Sequence, residues 1–435
     1  MMIVALKRIR SSWDSKRIVD LSKKGGLYFG SSALGMIISF FTVPIFSTLL
    51  SERDFAIFNY CNNLAGFFVF AFSLQFTSYY SANYFRANEE EKKSLTSTLI
   101  SFLLLWNAVI VCVVYGILII YCNLVNLTLP YYPYLIFSVL ITAITIFKGF
   151  YLTKLRLDGN ALKYFLINSL HKIIGIAVGI SLMYIISNHL EARLWGLLSA
   201  EVALGAYCLK IIYNNCSFFI EWQTIKKAFT FIYPLIGASL IYFPITGLDQ
   251  IALERLNNTS ELGYYTLGIT FASYIFMFHA AILQAVEPDI IKATIQRNFK
   301  KLSKITILFL AFCAGGSLVF MQISGYLIDF LTRGRFILST GYCNILTVSF
   351  FFLVVFSIAN IILIALQKSK AIFYTNLFGC IASIGGYFLL AHFFGFYGVA
   401  IGRTVIYLFM AVLAFVFIRK EFKRLSIAEN QQSDS

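Results

Sequence analysis

Residues 23–53 read KKGGLYFGSSALGMIISFFTVPIFSTLLSER, with no charged side chain between Lys24 and Glu52. A helix crossing a hydrocarbon core of about 30 Å needs roughly 20 apolar residues, and this stretch exceeds that length. Backbone amides in lipid must bond within their own segment, so a run this long reads as a helix rather than a barrel strand. Lys23 and Lys24 precede it, and Ser51, Glu52 and Arg53 follow.

Eleven similar stretches come after it. The set is read as 26–50, 56–85, 94–121, 131–152, 163–186, 194–214, 230–253, 262–289, 304–328, 339–366, 371–393 and 396–418. The whole chain of 435 residues is 59% hydrophobic and only 13% charged, about half the charged share of a soluble domain. Its net charge of +15 would suggest nucleic acid in a soluble protein, but here it follows the spans. Of 35 Lys and Arg, 27 lie in the two ends and the even-numbered connections; the odd connections hold Arg53, Arg193, Arg255, Arg333 and Arg335. Cations concentrate on the cytoplasmic side of membrane proteins. The expectation is an all-α polytopic membrane protein with 12 transmembrane helices and both termini cytoplasmic. No cleavable signal peptide is evident, because the first span is too long for one. The eight cysteines are scattered without metal spacing and read as small packing residues.

Residues 216–229, CSFFIEWQTIKKAF, differ from the spans. Phe218, Phe219, Trp222, Ile225 and Phe229 fall near one helical face, as in a helix lying among headgroups. This segment divides the chain into a basic N-terminal segment (1–25), an N-lobe (26–215), an interfacial linker (216–229), a C-lobe (230–418) and a tail (419–435). A short internal match supports two halves: Ser51-Glu52 after span one aligns with Ser260-Glu261 after span seven. Such a repeat is parallel, as in transporters whose halves are related by an axis along the membrane normal. Three of the six prolines, Pro44, Pro234 and Pro244, fall in spans one and seven. Proline kinks helices, and these three are candidate hinges.

Charges inside spans are expensive and mark pathways or partners. Three cations remain there: Lys148, Lys172 and Arg403. His171 precedes Lys172, and Glu201 in the adjacent span six is a candidate to neutralise it. Asp249, His279, Glu287 and Asp289 complete the set. Lys172, Arg403, Lys148 and His171 are the candidate anion-binding residues; Asp249, Glu287, Glu201 and His279 are the candidates for ion coupling or gating. No nucleophile–base grouping, P-loop or zinc spacing is present, so neither an enzyme, a direct ATP user nor a cofactor is expected.

Three segments carry a family resemblance: GLYFGSSALGMIISFFTVPIFSTLLSERDFAIFN (26–59), GLDQIALERLNNTSELGYYTLG (247–268) and GFYGVAIGRTVIYL (395–408). With the six-plus-six layout, the chain resembles the Wzx-type O-antigen and polysaccharide flippases of the MOP (multidrug/oligosaccharidyl-lipid/polysaccharide) exporter superfamily. The resemblance implies two six-helix MATE-like lobes in a bacterial inner membrane. It implies transfer of an undecaprenyl-pyrophosphate-linked repeat unit to the periplasmic leaflet by alternating access. The implied partners are the lipid-linked oligosaccharide, the bilayer, a polysaccharide polymerase and a chain-length regulator, with no nucleic acid. Spans one and two lack the cations expected of the peptidoglycan-precursor flippases, and span one lacks the acidic residue common in drug exporters. A cation-coupled multidrug exporter stays open through Asp249 and Glu287. An O-antigen polymerase fits less well, because the outer loops are short.

Overall fold

The computed structural model describes residues 15–84, 87–366 and 368–433, and among these no strand occurs. The basic N-terminal segment (1–25) has its first fourteen residues outside the described ones. Thirteen helices follow one another: α1 (Ser15–Leu49), α2 (Glu52–Phe67), α3 (Val69–Ser73), α4 (Phe76–Tyr84), α5 (Glu89–Leu124), α6 (Tyr134–Leu157) and α7 (Ala161–Met183), then α8 (His189–Asn215), α9 (Trp222–Glu254), α10 (Thr259–Ile295), α11 (Phe299–Thr332), α12 (Ser339–Ala365) and α13 (Ser369–Ser433). Nine helices among the described residues are long and apolar enough to cross a membrane. This is a multi-pass, all-helical membrane protein.

The sequence punctuates the helices with short polar caps. Ser51 opens α2 with a reciprocal box: its Oγ accepts from the Asp54 amide at 3.2 Å, and its own amide donates to Asp54 Oδ2 at 2.8 Å. Asn160, Asn188, Asn258 and Asn298 open α7, α8, α10 and α11 the same way, each accepting from the amide three residues on. Such caps satisfy amides that have no partner inside the helix. Ser51 and Asn258 cap the helices that follow spans one and seven, accepting from the amides of Asp54 and Glu261.

The described helices depart from the expected spans in three places. The second span is not one helix: Leu74 and Gln75 have positive φ, and 52–84 is split into α2, α3 and α4. A break frees carbonyls, and α5 satisfies them. Trp106 Nε1 donates to Ala71 O at 2.7 Å, and Asn107 Nδ2 donates to Phe72 O at 3.0 Å. Second, the linker is not a separate interfacial helix. Residues 216–221 are non-helical, and Trp222 begins α9, which runs unbroken into span seven. Ser97 of α5 ties the non-helical part, donating to Ser217 O and Phe219 O. Nothing between Trp222 and Glu254 interrupts helical bonding except the tolerated prolines, so the polar turn simply extends the span. Third, spans eleven and twelve follow one another directly within α13, separated only by a kink at Gly395 with φ 60° and ψ −146°. That conformation is open only to glycine. Helix α5, at 36 residues, is about 54 Å long; it outlasts the hydrocarbon core, which is why apolarity alone placed its start too late.

Packing divides the described chain into two units. One holds the chain up to Thr42, Ala71–Gly116 and Ile136–Tyr233; the other holds Val43–Phe70, Ile117–Leu135 and the chain from Pro234 on. In the first, α7 and α8 pack face to face, with Gly175 and Gly179 against Gly196; the missing side chains allow close approach. In the second, α10, α12 and α13 form the central layer, with α2 and α11 against α10. The charge-poor ends of the first three spans belong to this second unit and are clasped there by polar bonds. Arg335 Nη1 donates to Ser47 O at 2.7 Å and Thr48 O at 2.9 Å, and Ser47 Oγ donates to Leu331 O at 3.2 Å. Asn63 Nδ2 donates to Gly247 O at 2.7 Å, and Thr128 donates to Glu254 Oε1 from its amide and its hydroxyl. Arg335 meets the last carbonyls of α1, which have no intrahelical partner and form the negative end of the helix dipole.

Candidate functional site

The first unit holds one group of intramembrane charges. Glu201 projects from α8, and its Oε1 lies 2.9 Å from Lys148 Nζ and 2.7 Å from His171 Nε2. Lys148 and Glu201 are both buried. A buried carboxylate is retained only when paired, and this one has two basic neighbours. The expected partner, Lys172, is not among them. The correction is geometric: consecutive residues on a helix point about 100° apart. His171 faces α8, while the Lys172 side chain lies against α1 at Gly35, in the space a Cβ there would occupy. Among the described residues Lys172 has no carboxylate partner. It is the unbalanced cation of this unit's interior.

The second unit holds the other group. Arg403 Nη1 donates to Asp249 Oδ2 at 2.5 Å, and Tyr265 OH donates to the same oxygen at 2.7 Å. Asp249, Tyr265 and Tyr387 are wholly buried, and Arg403 nearly so. The guanidinium also stands over the rings of Phe350 at 5.6 Å and Tyr407 at 5.9 Å. Aromatic faces stabilise a desolvated cation. Arg403 and Asp249, separate candidates in the sequence, are thus one neutral pair. Among the described residues, Asp249 Oδ1, Arg403 Nε and Tyr407 OH, all buried, have no hydrogen-bond partner, so the cluster retains polar capacity it does not use.

The remaining candidates stay apart. His279 of α10 is buried beside Gly316 of α11, and its Nε2 has no hydrogen-bond partner among the described residues. Glu287 lies two turns further on, about 12 Å along the axis, and lines an open cleft near Lys292. The two do not meet. Pro44 and Pro244 sit inside continuous helices, and the backbone of α9 is also helical through Pro234.

Sequence reasoning missed the tyrosines around Asp249, and Asn107 and Glu254. A signal for Tyr407 was present: it follows Arg403 by four residues, one turn along the same face. Asn107 is a lone amide in an otherwise apolar span, which is costly in lipid without a partner.

The polysaccharide biosynthesis protein family model matches residues 21–294, well over half the chain. The chain belongs to that family, within the MOP superfamily. Among solved structures it is similar to the lipid II flippase MurJ in an inward closed conformation, with a TM-score of 0.71 and 15% identity over 90% of this chain and 86% of that one. It is also similar to the Vibrio cholerae MATE transporter VcmN, with a TM-score of 0.63 and 15% identity over 93% of this chain and 98% of that one. A MOP superfamily transporter from Pyrococcus furiosus matches with a TM-score of 0.59 and 12% identity, over 93% and 96% of the two chains. These likenesses show the fold. No protein of curated function matches the sequence.

Proposed function

We propose that this polysaccharide biosynthesis family member is a flippase for an undecaprenyl-pyrophosphate-linked O-antigen or related repeat unit. It moves the unit from the cytoplasmic to the periplasmic leaflet of a bacterial inner membrane by alternating access. The observation that carries the reading is Lys172, an intramembrane ammonium with no carboxylate partner in a chain of this family. An unbalanced cation in a span attracts an anion, and a pyrophosphate is the anion that a lipid-linked sugar presents. Arg403 is already neutralised by Asp249 and is proposed to hold that half together rather than to meet the pyrophosphate. Lys148 and His171 serve to fix Glu201. Lobes bounded as 26–215 and 230–418, hinged near Pro44, Pro234 and Pro244, would carry the motion.

The competing reading is a cation-coupled exporter, favoured by the unpartnered oxygen of Asp249. One experiment separates them. Deletion of the gene should leave lipid-linked oligosaccharide on the cytoplasmic leaflet, out of reach of a periplasmic glycan probe, with dye efflux unchanged. Lys172→Ala should cut repeat-unit export at least tenfold at normal abundance. Full export by that variant overturns the role of Lys172, and lost efflux with intact export overturns the flippase.

A further inference from the structure

A second basic site lies at the cation-rich end of the first unit, away from the intramembrane charges. A cavity of about 310 Å³ opens there between α4, α5, α6, α7 and the end of α8. Its volume is at the small end for ligand pockets, roughly 300–1,000 Å³, enough for one headgroup and too little for an oligosaccharide. Lys92 and Lys93 enter from the first turn of α5, Lys154 from the last turn of α6 and Lys163 from the first turn of α7.

The lining is organised. Tyr84 OH donates to Asp158, which also holds Lys154 at 2.7 Å. Lys92 pairs with Glu89 at 2.7 Å and stands 4.6 Å over the Tyr84 ring. The Lys92 hydrogen bond holds the Glu89 carboxyl below the usual carboxylate range, so that pair is ionic at neutral pH. Deeper in, Thr96 bonds to the buried Tyr80 hydroxyl at 3.2 Å. Two carboxylates thus balance two lysines, and Lys93 and Lys163 have no carboxylate partner among the described residues. Four lysines, two of them without a carboxylate partner, line a cavity shared with Tyr80, Tyr84 and Tyr151. That chemistry suits a phosphate group, which takes several charge-assisted hydrogen bonds. Basic pockets between spans at the cytoplasmic face bind anionic headgroups.

We propose that this pocket binds a phosphate group, independently of the Lys172 site. Lys163 and Lys172 share α7 but are nine residues apart, about 14 Å along the axis, so one phosphate does not reach both. The phosphate comes from an anionic phospholipid headgroup or from a soluble phosphate ester, and the test distinguishes them.

The purified full-length protein is titrated with short-chain phosphatidylglycerol, with inorganic pyrophosphate, and with phosphatidylcholine as the neutral control. Binding is read by native mass spectrometry and by the thermal midpoint. Phosphatidylglycerol or pyrophosphate should bind and phosphatidylcholine should not; the anion that binds names the source. The Lys93→Gln/Lys163→Gln double variant removes only unpaired ammonium groups, so its fold should persist. It should weaken binding about 25-fold, at roughly fivefold per lysine, in a Lys172→Gln background, where the intramembrane site no longer contributes. Binding of neither anion, or an unchanged affinity in the double variant, overturns the site. Loss of all anion binding in Lys172→Gln alone overturns its independence.

Discussion

Glu201 shows what a single carboxylate does at membrane depth. It meets Lys148 and His171 with one oxygen, and removing it strands a buried ammonium. Breaking a buried pair from one side costs about 3–5 kcal/mol. Glu201→Gln is therefore expected to lower the thermal midpoint and the membrane abundance markedly. A Lys148→Met/Glu201→Met double variant should recover most of the loss, because no uncompensated charge is left. A double-mutant cycle on purified protein checks this, and additive losses would show that the two residues do not act as a pair. These charges were legible in the sequence as a set, since charges are rare in apolar spans. Their partners were not. Whether Glu201 takes Lys148, His171 or Lys172 depends on helix rotation, and the amino-acid order fixes rotation only once packing such as Gly175 and Gly179 against Gly196 is known.

At the scale of elements, the broken second span is the feature least visible beforehand. Its sequence is less apolar than its neighbours, with Asn59, Asn62, Asn63 and Gln75, but it contains no proline to mark a break. At the 74–75 break, α5 supplies donors to the freed carbonyls of Ala71 and Phe72. Asn107→Leu removes one of these donors and leaves Phe72 O buried without that partner, a cost of about 1–3 kcal/mol. The expected outcome is a lower unfolding midpoint, with Trp106→Phe lowering it similarly through Ala71. An unchanged midpoint in both would mean the break is held by side-chain packing alone. The apolar stretches themselves read well because hydropathy sets which segments enter lipid. Their ends read poorly because helices such as α5 continue past the lipid under control of caps, and caps depend on a few polar residues.

At the scale of the whole molecule, span count and a short repeat point to two halves, and the packing units cut across them, with 43–70 and 117–135 joining the C-terminal part. The charge-poor ends of spans one to three join the second unit through non-local contacts between Arg335, Asn63 and Thr128 and their carbonyl or carboxylate acceptors. In the proposed cycle this clasp must part for cargo to leave. Arg335→Ala removes the donor to two helix-end carbonyls and should loosen it. A Ser47→Cys reporter, buried in the wild type, is expected to react several-fold faster with a membrane-impermeant maleimide in Arg335→Ala. Arg333→Ala should not change the rate, and equal rates in all three would place the seal elsewhere.

Because Asp249 and Arg403 move as one neutral pair, a displacement of the helices bearing them carries no net charge through a transmembrane field. A difference of 100 mV does about 2.3 kcal/mol of work on each elementary charge that crosses it, and on this pair the two contributions cancel. Lys148 and Glu201 cancel in the same way. In the proposed cycle, voltage then acts on the phosphates of the cargo and on Lys172, and the paired charges around them are electrically silent.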